Sequence, residues 1–283
     1  MLKFREKNTT ESSLYKKLQH IPYPLKRDYI KDIPLNIFQT WHTKELPEKM
    51  EQCIQRIKRE NPEFSYCLSG DAECREFIKT NYDVDIVTAF DRLIPGAYKA
   101  DLWRYCVLYK QGGIYLDIKY KPMNGFRLIT LTEKEHLVLD RDNNDIYNAL
   151  MVCRPGNALL WRAIQRIVKN VESNFYGISA LDPTGPGLLA KLMTMDERRT
   201  TLDMKHRVFF DDFNYRTILY KNHMIFHNYE GYLEEHDNNK KVMYYGDLWK
   251  RRQIYEVSHP VSHPVSHPVS HPVSHPQLNI TIT

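Results

Sequence analysis

Apolar residues along the first half of the chain alternate between a strand-like and a helix-like rhythm. Ile33, Leu35, Ile37 and Phe38 form a short, partly β-branched run, which predicts a strand over residues 33–40. Met50, Cys53, Ile54 and Ile57 then fall at helical spacing, with Pro47 in the first turn and Asn61-Pro62 as the stop. A helix over 47–60 follows. Residues 64–68 read as a second strand, and Ser69-Gly70-Asp71 turns the chain into a helix over 72–80. Pro95-Gly96 opens a third helix, 97–110, with Leu102, Tyr105, Cys106, Leu108 and Tyr109 as packing surface and Gly112-Gly113 as terminator. A buried strand is expected over 114–118. Further strands are expected over 137–139, 150–153 and 224–226, and helices over 157–171 and 187–193. Alternating strands and helices predict an α/β domain with a mainly parallel central sheet.

The two ends differ from this pattern. Residues 1–32 read as a polar N-terminal leader in which Pro22 and Pro24 break any helix. Residues 33–256 read as the folded domain. From residue 257 the unit Val-Ser-His-Pro repeats five times, and proline at every fourth position excludes regular helix and interrupts sheet pairing. The segment 257–283 is therefore expected to be a flexible, low-complexity tail, whose histidines suit weak metal binding or no function at all.

Composition narrows the function classes. With 283 residues, 42% hydrophobic and 12% aromatic, the chain can bury a sizeable core. The net charge of +5 has no long Lys/Arg run behind it, which argues against nucleic acid as a partner and suits an anionic small ligand. No stretch of about 18 apolar residues occurs, so no transmembrane segment is expected. Residues 1–20 lack an apolar core for a signal peptide, so a cytoplasmic or otherwise soluble intracellular protein is expected. The five cysteines include no C-x-x-C pair and read as reduced thiols.

The chemistry concentrates in residues 97–121. Asp101 and Arg104 lie three apart on the expected helix and share a face. Asp117 ends the following short strand, and ligands in open α/β sheets bind at the carboxyl ends of strands. Carboxylates accept from sugar hydroxyls, and a guanidinium fork donates to hydroxyls or phosphate oxygens. Read one by one, the same residues also suit a surface ion pair and a turn cap.

Taken together, Asp101, Arg104, Gly112-Gly113 and the strand ending at Asp117 closely resemble the DXD-containing sugar-binding region of glycosyltransferase family 32, which includes yeast initiating mannosyltransferases and capsule enzymes, and the pattern is similar to that of the clostridial glucosylating toxins. The resemblance implies a GT-A-type, Rossmann-like domain that transfers a hexose from a UDP- or GDP-sugar donor to a glycan or protein hydroxyl, with retention. It implies catalytic roles for Asp101, Arg104 and Asp117. Residues 33–41 resemble the family's first strand, with Phe38 where histidine is common; by that likeness Gln39 and Thr40 line the donor pocket and Trp41 stacks on the base, core packing being the other reading of Trp41. Tyr115 shares a face with Asp117 and is placed against the donor. The loop 182–187 resembles a glycine-proline loop that meets an anion or the acceptor, a plain turn that needs no ligand being the other reading. His227 resembles a C-terminal histidine near metal and diphosphate, so Asp117 and His227 are the candidate ligands for Mn²⁺ or Mg²⁺. One departure bears on that metal: Lys119 stands where the motif has its second carboxylate, and a charged lysine does not ligate hard cations. It is expected either beside the donor diphosphate in the ion's place, or turned to solvent while a metal binds through Asp117, His227 and the phosphates, or in a site that has lost its activity. A second Asp-x-Asp, Asp140-Arg141-Asp142, lacks the glycine-strand context and reads as a loop feature or an acceptor-side contact. The competing function is a non-catalytic nucleotide-sugar or glycan-binding protein that lost the second motif carboxylate.

Overall fold

The computed structural model describes residues 13–210, 214–238 and 243–256. The repeat tail expected over 257–283 lies outside the described residues. In chain order the elements begin β1 (Asn36–Thr40), α1 (Glu48–Glu60), β2 (Ser65–Ser69), α2 (Asp71–Asn81), α3 (Val84–Arg92), α4 (Gly96–Gln111) and β3 (Gly113–Leu116). They continue with β4 (Tyr120–Pro122), β5 (His136–Leu139), β6 (Ile146–Cys153), α5 (Ala158–Glu172), α6 (Pro186–Leu192) and α7 (Met195–Thr201). The last are β7 (Leu202–Phe210), β8 (Asn214–Tyr220), β9 (His223–Asn228), α8 (Tyr232–Asn238) and α9 (Tyr245–Lys250).

Among the described residues, the nine strands join one sheet in the order β2-β1-β3-β6-β5-β7-β8-β9-β4. The α/β reading holds, and the sheet is mixed. β1 pairs parallel with β2 and β3, and β5 with β7, whereas β6, β8, β9 and β4 bring antiparallel pairings. β3 is buried at every position because both sheet faces are covered. One face packs on α2, α3, α4, α5 and α6 through Phe90, Leu102, Cys106, Leu160 and Leu189. The other encloses α1 and the turn before β5 through Ile54, Ile57, Leu131, Val138 and Phe226. β1 leads outward to β2, and the chain then returns past β1 to β3. Right-handed crossovers in opposite directions put their helices on opposite faces, as seen for α1 and for α2–α4.

Helix α4 is buried without interruption from Asp101 to Leu108. It ends at Gly112 (φ 62°), and Gly113 (φ 125°) begins β3 where a Cβ would stand 2.7 Å from the Asn36 carbonyl oxygen. Only glycine permits that approach.

β3 and β4 are consecutive strands, yet they sit far apart in the sheet order. Only Asp117, Ile118 and Lys119 separate Leu116 from Tyr120, a span of at most about 14 Å. The sheet must therefore curl until its far edge returns to β3. The backbone records the closure: Asp117 N–H donates to Ala149 O (2.7 Å), and Tyr229 N–H donates to Lys119 O (2.9 Å).

The N-terminal segment departs from the expected polar leader. From residue 13 it docks on the domain: Tyr15 and Leu18 pack with Phe209 and Met224, and Tyr23 packs among Phe126 and Tyr220. Apolar residues spaced among lysines carry this contact, so average polarity misjudged it.

Candidate active site

Three groups of polar side chains meet at the carboxyl edge of β1, β3 and β5. Antiparallel β6 begins at the same edge, so its first residues, Tyr147 and Asn148, join them.

The first group lies on buried α4. Asp101 and Arg104 are 7% and 6% exposed, too enclosed for an ordinary surface pair. Arg104 Nη2 stands 3.3 Å from Asp101 Oδ1. The Asp101 carboxylate also accepts from Asn148 Nδ2 (2.9 Å) and from the Thr184 hydroxyl (2.8 Å). Arg104 donates to the carbonyls of Asn148 (2.8 Å) and Ala100 (3.1 Å), and its guanidinium lies 4.3 Å from the centre of the Tyr115 ring. Burial raises the Asp101 pKa, against the opposing pull of Arg104, Thr184 and Asn148. Asn148 and Thr184 were not expected here. Thr184 comes from the 182–187 loop, whose Gly185 and Gly187 N–H groups donate to the Leu181 carbonyl within the loop.

The second group is Asp117 and Lys119. Lys119 Nζ is 2.8 Å from Asp117 Oδ2, and its backbone N–H donates to Oδ1 at 3.2 Å. Burial pushes the Asp117 pKa up, but Lys119 and then Arg104 outweigh it, leaving the carboxyl below its ordinary value. Lys119 also lies 5.0 Å from the Tyr120 ring centre and 5.7 Å from that of Tyr147. The two tyrosine hydroxyls bond at 2.8 Å.

The third group is Asp140 and His206, joined at 2.7 Å through His206 Nδ1. The imidazole stacks on Tyr147 with centroids 3.8 Å apart and planes 5° apart. Asp140 belongs to the Asp140-Arg141-Asp142 motif; Arg141 and Asp142 are exposed.

The remaining candidates divide. Tyr115 lies against Arg104, T-shaped to Trp103. Gln39 is fully buried and engaged by structure, donating to Leu116 O (3.0 Å) and accepting from the Tyr66 hydroxyl (2.8 Å). Thr40 donates to Ser69 O at 2.8 Å. Both tie β1 to its neighbours. Trp41, at the end of β1, packs beside His42 and edge-on to His236 of α8, and its indole N–H has no partner among the described residues. His227 is buried on β9, with Nδ1 2.5 Å from Asn228 O and its ring against Tyr215. Burial first, then Lys121, lower its pKa to about 4. Asp117 and His227 thus hold different partners, and the described residues contain no group of three His, Cys, Asp or Glu side chains arranged for a metal. With an ammonium against Asp117, these residues do not fit the divalent site of the motif.

The buried Asp101–Arg104 pair and the Asp117–Lys119 pair thus stand together at the strand edge. Residues 47–135 match the glycosyltransferase sugar-binding region containing the DXD motif, a span that includes Asp101, Arg104, Asp117 and Lys119. The chain is 42% identical over 86 residues to inositol phosphoceramide mannosyltransferase 3 of Schizosaccharomyces pombe, covering 30% of this chain and 24% of that protein. It is 29% identical over 247 residues to inositol phosphoceramide mannosyltransferase 2 of the same yeast, covering 83% of this chain and 68% of the relative. A solved structure titled PaToxG Glycosyltransferase aligns with a TM-score of 0.45 at 19% identity, covering 67% of this chain and 74% of that one. Over residues 47–135 the chain is thus similar to a glycosyltransferase sugar-binding region, and it spans 24% and 68% of the lengths of these two yeast relatives. Among the described residues, no helix is long and apolar enough to cross a membrane.

Proposed function

We propose that the chain transfers a hexose, with mannose the first choice from its relatives, from a nucleoside-diphosphate sugar to a hydroxyl of a glycan, glycolipid or protein. The observation that carries this reading is the pairing of buried Asp101–Arg104 with Asp117–Lys119 on one sheet edge, inside the matched sugar-binding region. Asp101 is held ready as an acceptor for sugar hydroxyls. Arg104, fixed by two carbonyls and Tyr115, supplies a positive charge that favours the diphosphate. Asp117 binds ribose or sugar hydroxyls. Lys119 neutralises charge on the leaving diphosphate in place of a divalent ion, as a point charge. Trp41, with a free indole N–H at the end of β1, stacks on the base. Retention at the anomeric carbon follows the family likeness.

The test is a panel of UDP- and GDP-sugars. Nucleoside diphosphate release and product formation, together with a donor-dependent rise in melting temperature, are expected for one donor. Saturable donor binding without release would instead establish the binding-protein reading, which Lys119 favours.

A further inference from the structure

The Asp140–His206 pair is not used by the donor chemistry above. His206 is 6% exposed on β7, and Asp140 follows β5; parallel pairing of these strands brings Leu139 opposite Lys205 and so sets the carboxylate beside the ring. The 2.7 Å contact occupies Nδ1. Nε2 is buried with no partner among the described residues. Buried polar atoms are ordinarily satisfied, so an unpaired one beside a ligand site marks a place for a ligand atom. Through Tyr147, stacked on the imidazole and bonded to the Tyr120 hydroxyl, the ring connects to Lys119 and Asp117.

We propose that His206, oriented by Asp140, is the acceptor-side contact: its Nε2 accepts a hydrogen bond from a hydroxyl of the acceptor polyol and holds that oxygen at the donor site. This rests on the transferase reading and adds a specificity residue to it. Ionised Asp140 fixes the tautomer, since the proton between the pair belongs on Nδ1 and the lone pair on Nε2. Burial, then the charges of Lys119 on the β3–β4 connection and Arg216 on β8, oppose protonation of the ring against the pull of Asp140, so it stays neutral. A neutral ring accepts where an imidazolium only donates.

His206→Asn tests the assignment, because its amide can still donate to Asp140 while nothing replaces Nε2. With the working donor and methyl α-mannoside as acceptor, the ratio of transfer to donor hydrolysis should fall about tenfold. Nucleoside diphosphate release without acceptor should change less than about threefold. Equal loss of both rates, or an unchanged ratio, overturns the proposal. The ring of the unaltered protein provides a second, independent measurement by ¹⁵N NMR. Nε2 should be unprotonated, should shift saturably on titration with methyl α-mannoside, and should become the protonated nitrogen in Asp140→Asn. A protonated Nε2 in the unaltered protein, or no shift with the mannoside, overturns the assignment. If the unaltered protein turns over no nucleotide sugar, the transferase reading fails and the NMR titration alone decides the role of His206.

Discussion

Replacing Lys119 separates a metal-free site from a metal-dependent one. Lys119 Nζ and Asp117 Oδ2 are 2.8 Å apart, with the side chains 7% and 23% exposed. At that separation the gross attraction is about 6 kcal/mol with an effective dielectric of about 20. Most of it is offset by desolvating the two ions, and stripping one partner from a buried pair costs about 3–5 kcal/mol. Partial exposure of Asp117 places Lys119→Met near about 3 kcal/mol. For a domain of this size that lowers the melting temperature by roughly 6–12 °C. Lys119→Asp sets a second carboxylate against Asp117 and lowers it further in EDTA, with Mn²⁺ restoring stability because a divalent ion now bridges the pair. The assay is a thermal melt and nucleoside diphosphate release, each in EDTA and in Mn²⁺. Activity of the unaltered protein should survive EDTA, and Lys119→Asp should become Mn²⁺-dependent. If activity of the unaltered protein vanishes in EDTA and returns with Mn²⁺, lysine does not replace the metal.

Asp101→Asn removes the counter-charge of buried Arg104; stability should fall by about 3 kcal/mol in denaturant titration, with transfer abolished. Alanine at this position is the poorer probe, because Thr184 and Asn148 would also lose their acceptor. Gly113→Ala should cost upwards of about 2 kcal/mol, since a Cβ at φ 125° would meet the Asn36 carbonyl at 2.7 Å; a near-neutral melt would contradict that geometry. His227 is lowered from 6.5 to about 4, so below pH 6.5 the unfolded ring takes up a proton that the folded one refuses. Stability due to this ring is whole above 6.5 and falls toward pH 4, by about 2 kcal/mol between pH 7 and pH 5. His227→Gln should flatten that slope, and an unchanged slope would locate the titration elsewhere.

Elements with an apolar pattern were legible in the sequence, and those shaped by the site were not. Helix α1 and helix α5 appear within a residue of their expected limits, because their buried faces are apolar apart from Asn170 near the end of α5. β6 was expected to start at residue 150, but begins at Ile146; Tyr147 and Asn148, which serve the site, disguise its first turn of alternation. In β7, inward-facing Met204 and His206 alternate with exposed Asp203, Lys205 and Arg207, a strand rhythm hidden by a polar residue in the buried set. Helix α3 was also missed, its burial being confined to Ile86, Ala89 and Phe90. Asp101, Arg104 and Asp117 were readable as a fixed-spacing motif. Asn148, Thr184 and Tyr147 were not, since only the tertiary fold brings residues 27 to 83 positions apart together. Gln39 and Thr40 sit on the expected strand, but cross-strand bonding occupies their side chains.

The short link from β3 to β4 also bears on the order in which the molecule is made. The surroundings of Asp117 to Lys119 are completed only when β9 arrives to pair with β4 and Tyr229 bonds Lys119, more than a hundred residues later in synthesis. A nascent chain that ends before residue 223 carries the whole sugar-binding motif without the enclosure that gives it shape. Such long-range pairing is slow to form. Truncations within β8 or β9 should therefore silence the proposed donor site without touching any residue of the motif.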